Sequence, residues 1–241
     1  MAFGATKPLF FVKSLLRLFF RLLYHQFAFT YDLVAAAVSF NRWKDWVMSV
    51  IPFIEGNRVL EIGHGPGHLQ RALLSRNLFA IGIDESPQMG CLAKRNLARW
   101  SYLSSPPREQ VSPSSLSSQF GYTQINLVRG LGQQLPFPNE SFDTVVATFP
   151  TEYITDARTL AEVKRCLSNG GKFIVLPVAW PKNRILDWLF KVTHQAPMEA
   201  LEMVKSKLRE PFVGAGFETE VRTLDVRSGI LLIVLTKKPS H

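Results

Sequence analysis

Apolar and β-branched residues gather in short, nearly uninterrupted runs through the middle of the chain. They are RVLEI at 58–62, FAIGID at 79–84, INLV at 125–128, FDTVVA at 142–147 and KFIVLPV at 172–178. Between them lie stretches with apolar residues three and four positions apart, at 67–77, 87–100 and 155–167. Runs with few polar interruptions predict strands buried on both faces, as in a parallel sheet, and the 3.6-residue spacing predicts helices between them. Strands alternating with helices imply right-handed crossovers and a doubly wound α/β sheet. LSNGGKF at 167–173 predicts a helix stop with glycines at the C-terminal cap, feeding the next strand. Near the end, FETEVRTLDV and GILLIVLTKK meet around Arg227, Ser228 and Gly229 and predict an antiparallel hairpin on the sheet edge.

Two regions break this rhythm. SYLSSPPREQVSPSSLSSQFG at 101–121 is rich in Ser and Pro where a short connection would suffice, and it predicts a mobile insertion with no packed core of its own. The other is 1–50, ahead of the first strand, a helical extension to a domain covering 51–241. Within it, LFFVKSLLRLFFRLLYH at 9–25 sets Lys13, Arg17, Arg21 and His25 four residues apart on one helical stripe, with apolar residues nearly all round. A surface helix shows the reverse balance. Two readings stand open: a lid helix over a pocket, or a peripheral contact lying in a membrane interface.

The chain has 241 residues and a net charge of +9, which points to an anionic partner. The basic residues are scattered, so a nucleic acid is disfavoured. Cys91 and Cys166 are too few and too far apart for a disulfide framework or a zinc site, and a reducing, cytoplasmic setting is expected. Charges within the first apolar stretch argue against a secretory signal.

The candidate chemistry begins at RVLEIGHGPGHL, 58–69. Gly63, Gly65 and Gly67 leave the backbone bare between a strand and a helix N-terminus, where free N–H groups meet a ligand. Dinucleotide binders use G-x-G-x-x-G, whose third glycine lets helix and strand pack closely. His68 stands at that position, which disfavours NAD or FAD. Asp84 closes the second strand 21 residues beyond Gly63, where a carboxylate can accept both hydroxyls of a ribose. Glu61 lies inside the first strand and needs a partner, which an amine or ammonium ligand near the turn would supply.

VLEIGHGPG, GIDESPQM, GQQLPFPNESFDTVVATF and LAEVKRCLSNGGKFIV, in that order over about 40–178, resemble the successive motifs of class I S-adenosylmethionine-dependent methyltransferases. The resemblance is to the small-molecule branch (type 11) that includes the ubiquinone and menaquinone C-methyltransferases. It implies a Rossmann-like seven-stranded sheet with a C-terminal antiparallel hairpin, and S-adenosyl-L-methionine as cofactor. Glu61, Gly63, Gly65 and Gly67 then form the methionine-side loop, and Asp84 holds the ribose, with Glu85, Ser86 and Met89 on the adenosine side. Where the family commonly has an acid and a small residue before LPF, this chain has Leu131 and Gly132, leaving backbone and apolar packing for the adenine. Phe149 would sit near the transferable methyl, with Pro150, Thr151 and Tyr153 beside it.

The implied activity is methyl transfer to a small, lipophilic acceptor, such as a membrane lipid or quinone, with the protein peripheral on the inner face of the membrane. A base is needed only if the acceptor must lose a proton. His64, Tyr153, Asp156 and His194 are candidates, and none is assigned as catalytic. No G-x-S-x-G elbow, H-E-x-x-H helix or P-loop is present, and no metal is expected. Two alternatives remain: a methyltransferase-like scaffold without catalysis, and a dinucleotide-binding oxidoreductase.

Overall fold

The computed structural model describes residues 42–104, 125–181 and 197–240. The expectations for 9–25, for 105–121 and for His194 lie outside the described residues.

β1 (Arg58–Ile62) is buried from Val59 to Ile62 because it pairs in parallel on both sides, with β2 (Phe79–Asp84) and β4 (Phe142–Thr148). Leu60 faces Ile81 on one side and Val145 on the other. β3 (Asn126–Arg129) extends the sheet beyond β2, and β5 (Leu167–Pro181) extends it beyond β4. The order of the seven strands is β3-β2-β1-β4-β5-β7-β6, with β6 (Glu218–Val226) and β7 (Gly229–Lys237) antiparallel. The chain runs outward from β1 to β3, then returns to its other side at β4. That reversal opens a crevice at the C-terminal ends of β1 and β4, where α/β sheets place their ligands.

Successive β1 residues feed opposite faces. Leu60 and Ile62 pack with α4 (Ala157–Cys166) through Leu160 and Val163, and with Phe212 of α5 (Pro197–Gly214). Val59 packs with Leu69 and Leu73 of α2 (His68–Leu74), Leu97 of α3 (Pro87–Ser104), and Trp46 and Val47 of α1 (Trp43–Met48). Residues 101–104, expected to open the Ser/Pro insertion, instead form the last turn of α3. The glycines at 170 and 171 do not cap a helix. α4 stops at Cys166, and Leu167 already pairs with Phe142 before an irregularity shifts the register to Lys172 opposite Thr144. Gly170, with φ of 72°, and Gly171 serve that irregularity. A Cβ on Gly171 would lie 2.8 Å from the Ser168 carbonyl oxygen.

At the opposite edge of β1, Asp143 gathers the incoming chain. Its Oδ2 accepts from the backbone N–H groups of Asn57 and Arg58, both at 3.0 Å, and its Oδ1 accepts from the Arg58 guanidinium. Hydrogen bonding from Arg58 chiefly holds its carboxyl down at about 2, below the usual 3.8. A depressed carboxyl stabilises the fold fully above the ordinary value, and the benefit fades as pH falls from about 4 to 2. Asp143→Ala is expected to cost about 1 kcal/mol at neutral pH, since the site is partly exposed. Denaturant unfolding at pH 7 and pH 3 should show the gap between wild type and variant shrinking in acid.

Candidate functional site

The turn after β1 is built from left-handed backbone at Gly63 (φ 75°), Gly65 (50°) and Gly67 (84°). Gly67 serves a packing between helices, distinct from the helix–strand packing of a dinucleotide fingerprint. A Cβ there would come within 3.2 Å of the Ala93 Cβ, so Gly67 gives α2 its close approach to α3. Space above Gly65 is open, with nothing within 4 Å of a Cβ position. The Gly63 N–H donates to the Ile83 carbonyl at 2.8 Å. Asp84 Oδ2 accepts from the Gly65 N–H at 2.9 Å, and Oδ1 accepts from the Ser86 N–H at 2.9 Å. Each carboxylate oxygen therefore keeps a second lone pair.

Glu61 is only 2% exposed, and Gln70 of α2 donates to its Oε2 at 2.8 Å. Burial pushes its carboxyl up to about 8, offset in part by Gln70 and reinforced by the charge of Asp84. The group is thus held mostly protonated at neutral pH. A cation brought beside it would favour the charged form.

The other expected residues lie round the same end of the sheet. Ser86 Oγ accepts from the Met89 N–H at 3.3 Å, Met89 is buried in the core, and Glu85 is exposed. Leu131 forms a bridge with Gln134 and is 45% exposed, so the position where the family carries an acid presents apolar surface. Gly132 is buried against Ile62, Thr159 and Tyr153. Phe149, at the end of β4, adopts φ of 51°, a conformation uncommon outside glycine. Its ring lies 3.9 Å from that of Trp43, centroid to centroid, and 6.4 Å from that of Trp46.

Two candidate bases already have structural work. His64 is buried at 3% exposure, bonded through Nδ1 to the Gly65 carbonyl at 2.8 Å, with its ring against Gly82. Asp156 caps α4 by accepting from the Arg158 N–H. Sequence reasoning missed Gln70 and Asn96. Gln70 left a signal, since it is a polar residue among Leu69, Leu73 and Leu74 on the buried face of α2. Asn96 donates to the Pro66 carbonyl at 3.0 Å, a link to the turn with no spacing signature.

Residues 60–175 match the family described as a methyltransferase domain. A demethylmenaquinone methyltransferase of Symbiobacterium thermophilum is 27% identical over 179 residues, 71% of this chain and 64% of that protein. An uncharacterized methyltransferase of Bacillus subtilis is 27% identical over 132 residues, 54% of this chain and 44% of that protein. The matches thus span less than two thirds of these relatives' lengths. Among solved structures, a Haemonchus contortus phosphoethanolamine N-methyltransferase 2 in complex with S-adenosyl-L-methionine superposes with a TM-score of 0.55 at 15% identity, covering 91% of this chain and 60% of that one. Residues 60–175 thus carry a methyltransferase domain, and the fold is shared with S-adenosylmethionine-dependent methyltransferases of known structure.

The buried Glu61 carries a pH signature. Its folded value near 8 exceeds the ordinary 4.5, so the unfolded chain gives up a proton that the folded protein retains. Stability should therefore decline as pH rises from about 4.5 to 8. Glu61→Gln keeps an acceptor for Gln70 and removes the ionisation. Melting curves across that range should show the variant losing less stability than wild type as pH rises; parallel curves would contradict the buried, protonated carboxyl.

Proposed function

We propose that this methyltransferase transfers a methyl group from S-adenosyl-L-methionine to a small, lipophilic acceptor. The observation that carries the reading is the pairing of carboxyls at one glycine turn. Glu61 is buried with an amide as its hydrogen-bond partner among the described residues, and Asp84 has lone pairs to spare beside the open space at Gly65. That donor set fits a ligand with an ammonium at one point and vicinal hydroxyls at another. Glu61 would take the ammonium, Asp84 the ribose hydroxyls, and the peptide over Gly65 the close approach. Exposed Leu131 and buried Gly132 would give the adenine an apolar seat.

When bound, S-adenosyl-L-methionine supplies an electrophilic methyl on a sulfonium. The chain's own part is to align the acceptor and exclude water. Trp43 and Phe149 supply apolar aromatic surface at the end of β4, suited to a lipophilic acceptor. The similarity to a demethylmenaquinone methyltransferase supports that acceptor class. A scaffold without catalysis would bind the donor and transfer nothing from it to a membrane lipid extract, which labelled methyl groups would reveal.

Calorimetry should show binding of S-adenosyl-L-methionine and S-adenosylhomocysteine and none of NADH. Asp84→Asn keeps the shape and loses the charge; losing charge-assisted hydrogen bonds costs about 1.5–3 kcal/mol, or roughly 10- to 150-fold in affinity. Unchanged donor affinity in the folded variant would remove Asp84 from the site.

Delivery of a lipophilic acceptor fits a peripheral position on the inner face of a membrane. Among the described residues no helix is long and apolar enough to cross one. The stripe of Lys13, Arg17 and Arg21 in an apolar 9–25 supports contact in the surface plane. So does the outer side of α2 and α3, where Arg71, Lys94, Arg95 and Arg99 are exposed and neither helix carries an acid. Each basic residue near anionic lipid contributes about 1 kcal/mol, and salt weakens that share. The full chain should float with anionic vesicles at low salt and loosen at high salt, whereas a chain beginning near Tyr31 should float far less. If neither floats, the membrane contact is wrong.

A further inference from the structure

Gly63 and Gly132 stand on different loops and share one neighbour, Tyr153. A Cβ on Gly63 would lie 2.7 Å from the Tyr153 hydroxyl oxygen, and a Cβ on Gly132 would lie 3.4 Å from Tyr153 Cδ2. The ring thus reaches Gly132 while its hydroxyl reaches Gly63, so one side chain runs from the proposed adenine end of the cleft to its methionine end. A Cβ at 63 would drive the hydroxyl away, so the bare turn serves this tyrosine as well as a ligand.

The backbone fixes Tyr153 there. Phe149 turns the chain out of β4, and a 3₁₀ turn at Glu152–Thr155 carries Tyr153 inward, pinned by buried Ile154. The Tyr153 carbonyl accepts from the Asp156 N–H at 3.2 Å, and Asp156 in turn starts α4. Donor and product differ by one methyl and the positive charge that goes with it: the donor bears a sulfonium with polarised C–H groups, the product a neutral thioether. A group that tells them apart must sit between the two ends of the ligand and offer electron density. A phenol does so twice, through its oxygen to polarised C–H groups and through its ring face to a cation.

We propose that Tyr153 is the residue by which the site favours the sulfonium donor over the thioether product. This rests on the donor reading of the Gly63 turn, and it adds a role for a side chain that the turn and the two carboxyls leave unassigned. Product would then leave more readily than the donor, because the cleft holds a neutral sulfur less well.

Calorimetry of the full chain with S-adenosyl-L-methionine and with S-adenosylhomocysteine tests it, using wild type, Tyr153→Phe and Tyr153→Leu. Losing the hydroxyl alone should lower the donor-to-product affinity ratio about 3-fold, the scale of a weak C–H···O contact. Losing the ring too should lower it about 10-fold or more. Equal weakening of both ligands makes Tyr153 a wall and overturns the inference, as does an unchanged ratio in folded variants. Asp84→Asn separates the two levels. If it weakens both ligands while the Tyr153 variants leave the ratio alone, only the discrimination fails; if it weakens neither, the donor site and the discrimination fail together.

Discussion

The Asp84 carboxylate is the constraint on which the site depends. Left-handed Gly65 aims its backbone N–H away from the sheet, and an unpaired N–H is costly when water is excluded. Asp84 takes one such group from Gly65 and another from Ser86, so the end of β2 holds both the turn after β1 and the start of α3. Neither element has to be rigid alone. In the proposed function the same two oxygens would face the ligand, so the part that shapes the turn would also read what enters it.

Glu61 and Gln70 show a different compromise. A carboxyl at the centre of a parallel sheet opposes stability when ionised, and the fold tolerates it by keeping the proton and supplying one amide. An apolar residue there would pack without penalty. Retaining the acid makes sense only if its charged form is used, and a ligand cation is the natural occasion. The left-handed Phe149 is a second local cost at the same end of the sheet.

Much of this was legible from residue order. β1, β2 and β4 are legible within a residue because burial on both faces leaves uninterrupted apolar runs, and the hairpin because its turn falls between two long β-branched stretches, whereas β5 starts five residues ahead of its apolar run. α5 was not read at all, since Pro211 lies inside it and Met203, Val204 and Val213 on it are exposed, which blurs its periodicity. Gly170 and Gly171 misled because glycine after a helix commonly caps it, whereas here it relieves a strand irregularity. At the site, the turn and Asp84 were legible by position. Tyr153 is legible as a neighbour of Phe149 and as a candidate base, but its relation to Gly63 and Gly132 arises from three loops that meet only after folding.

The sheet has an unusual order of completion. β7 lies between β5 and β6, so the strand made last of the seven is inserted into the sheet and not added at its rim. Its turn with β6 supplies Ser228, whose Oγ accepts from Trp46 Nε1 at 2.9 Å and whose carbonyl accepts from Arg42 at 3.2 Å. Trp46 stands beside Phe149 at the crevice. On the ribosome, then, β5 waits with an open edge and the aromatic wall lacks its anchor until the hairpin has emerged. A nascent chain stalled before Gly229 would carry every residue of the glycine turn and neither a closed sheet nor a finished pocket, and it would be a natural client for a chaperone that shields strand edges.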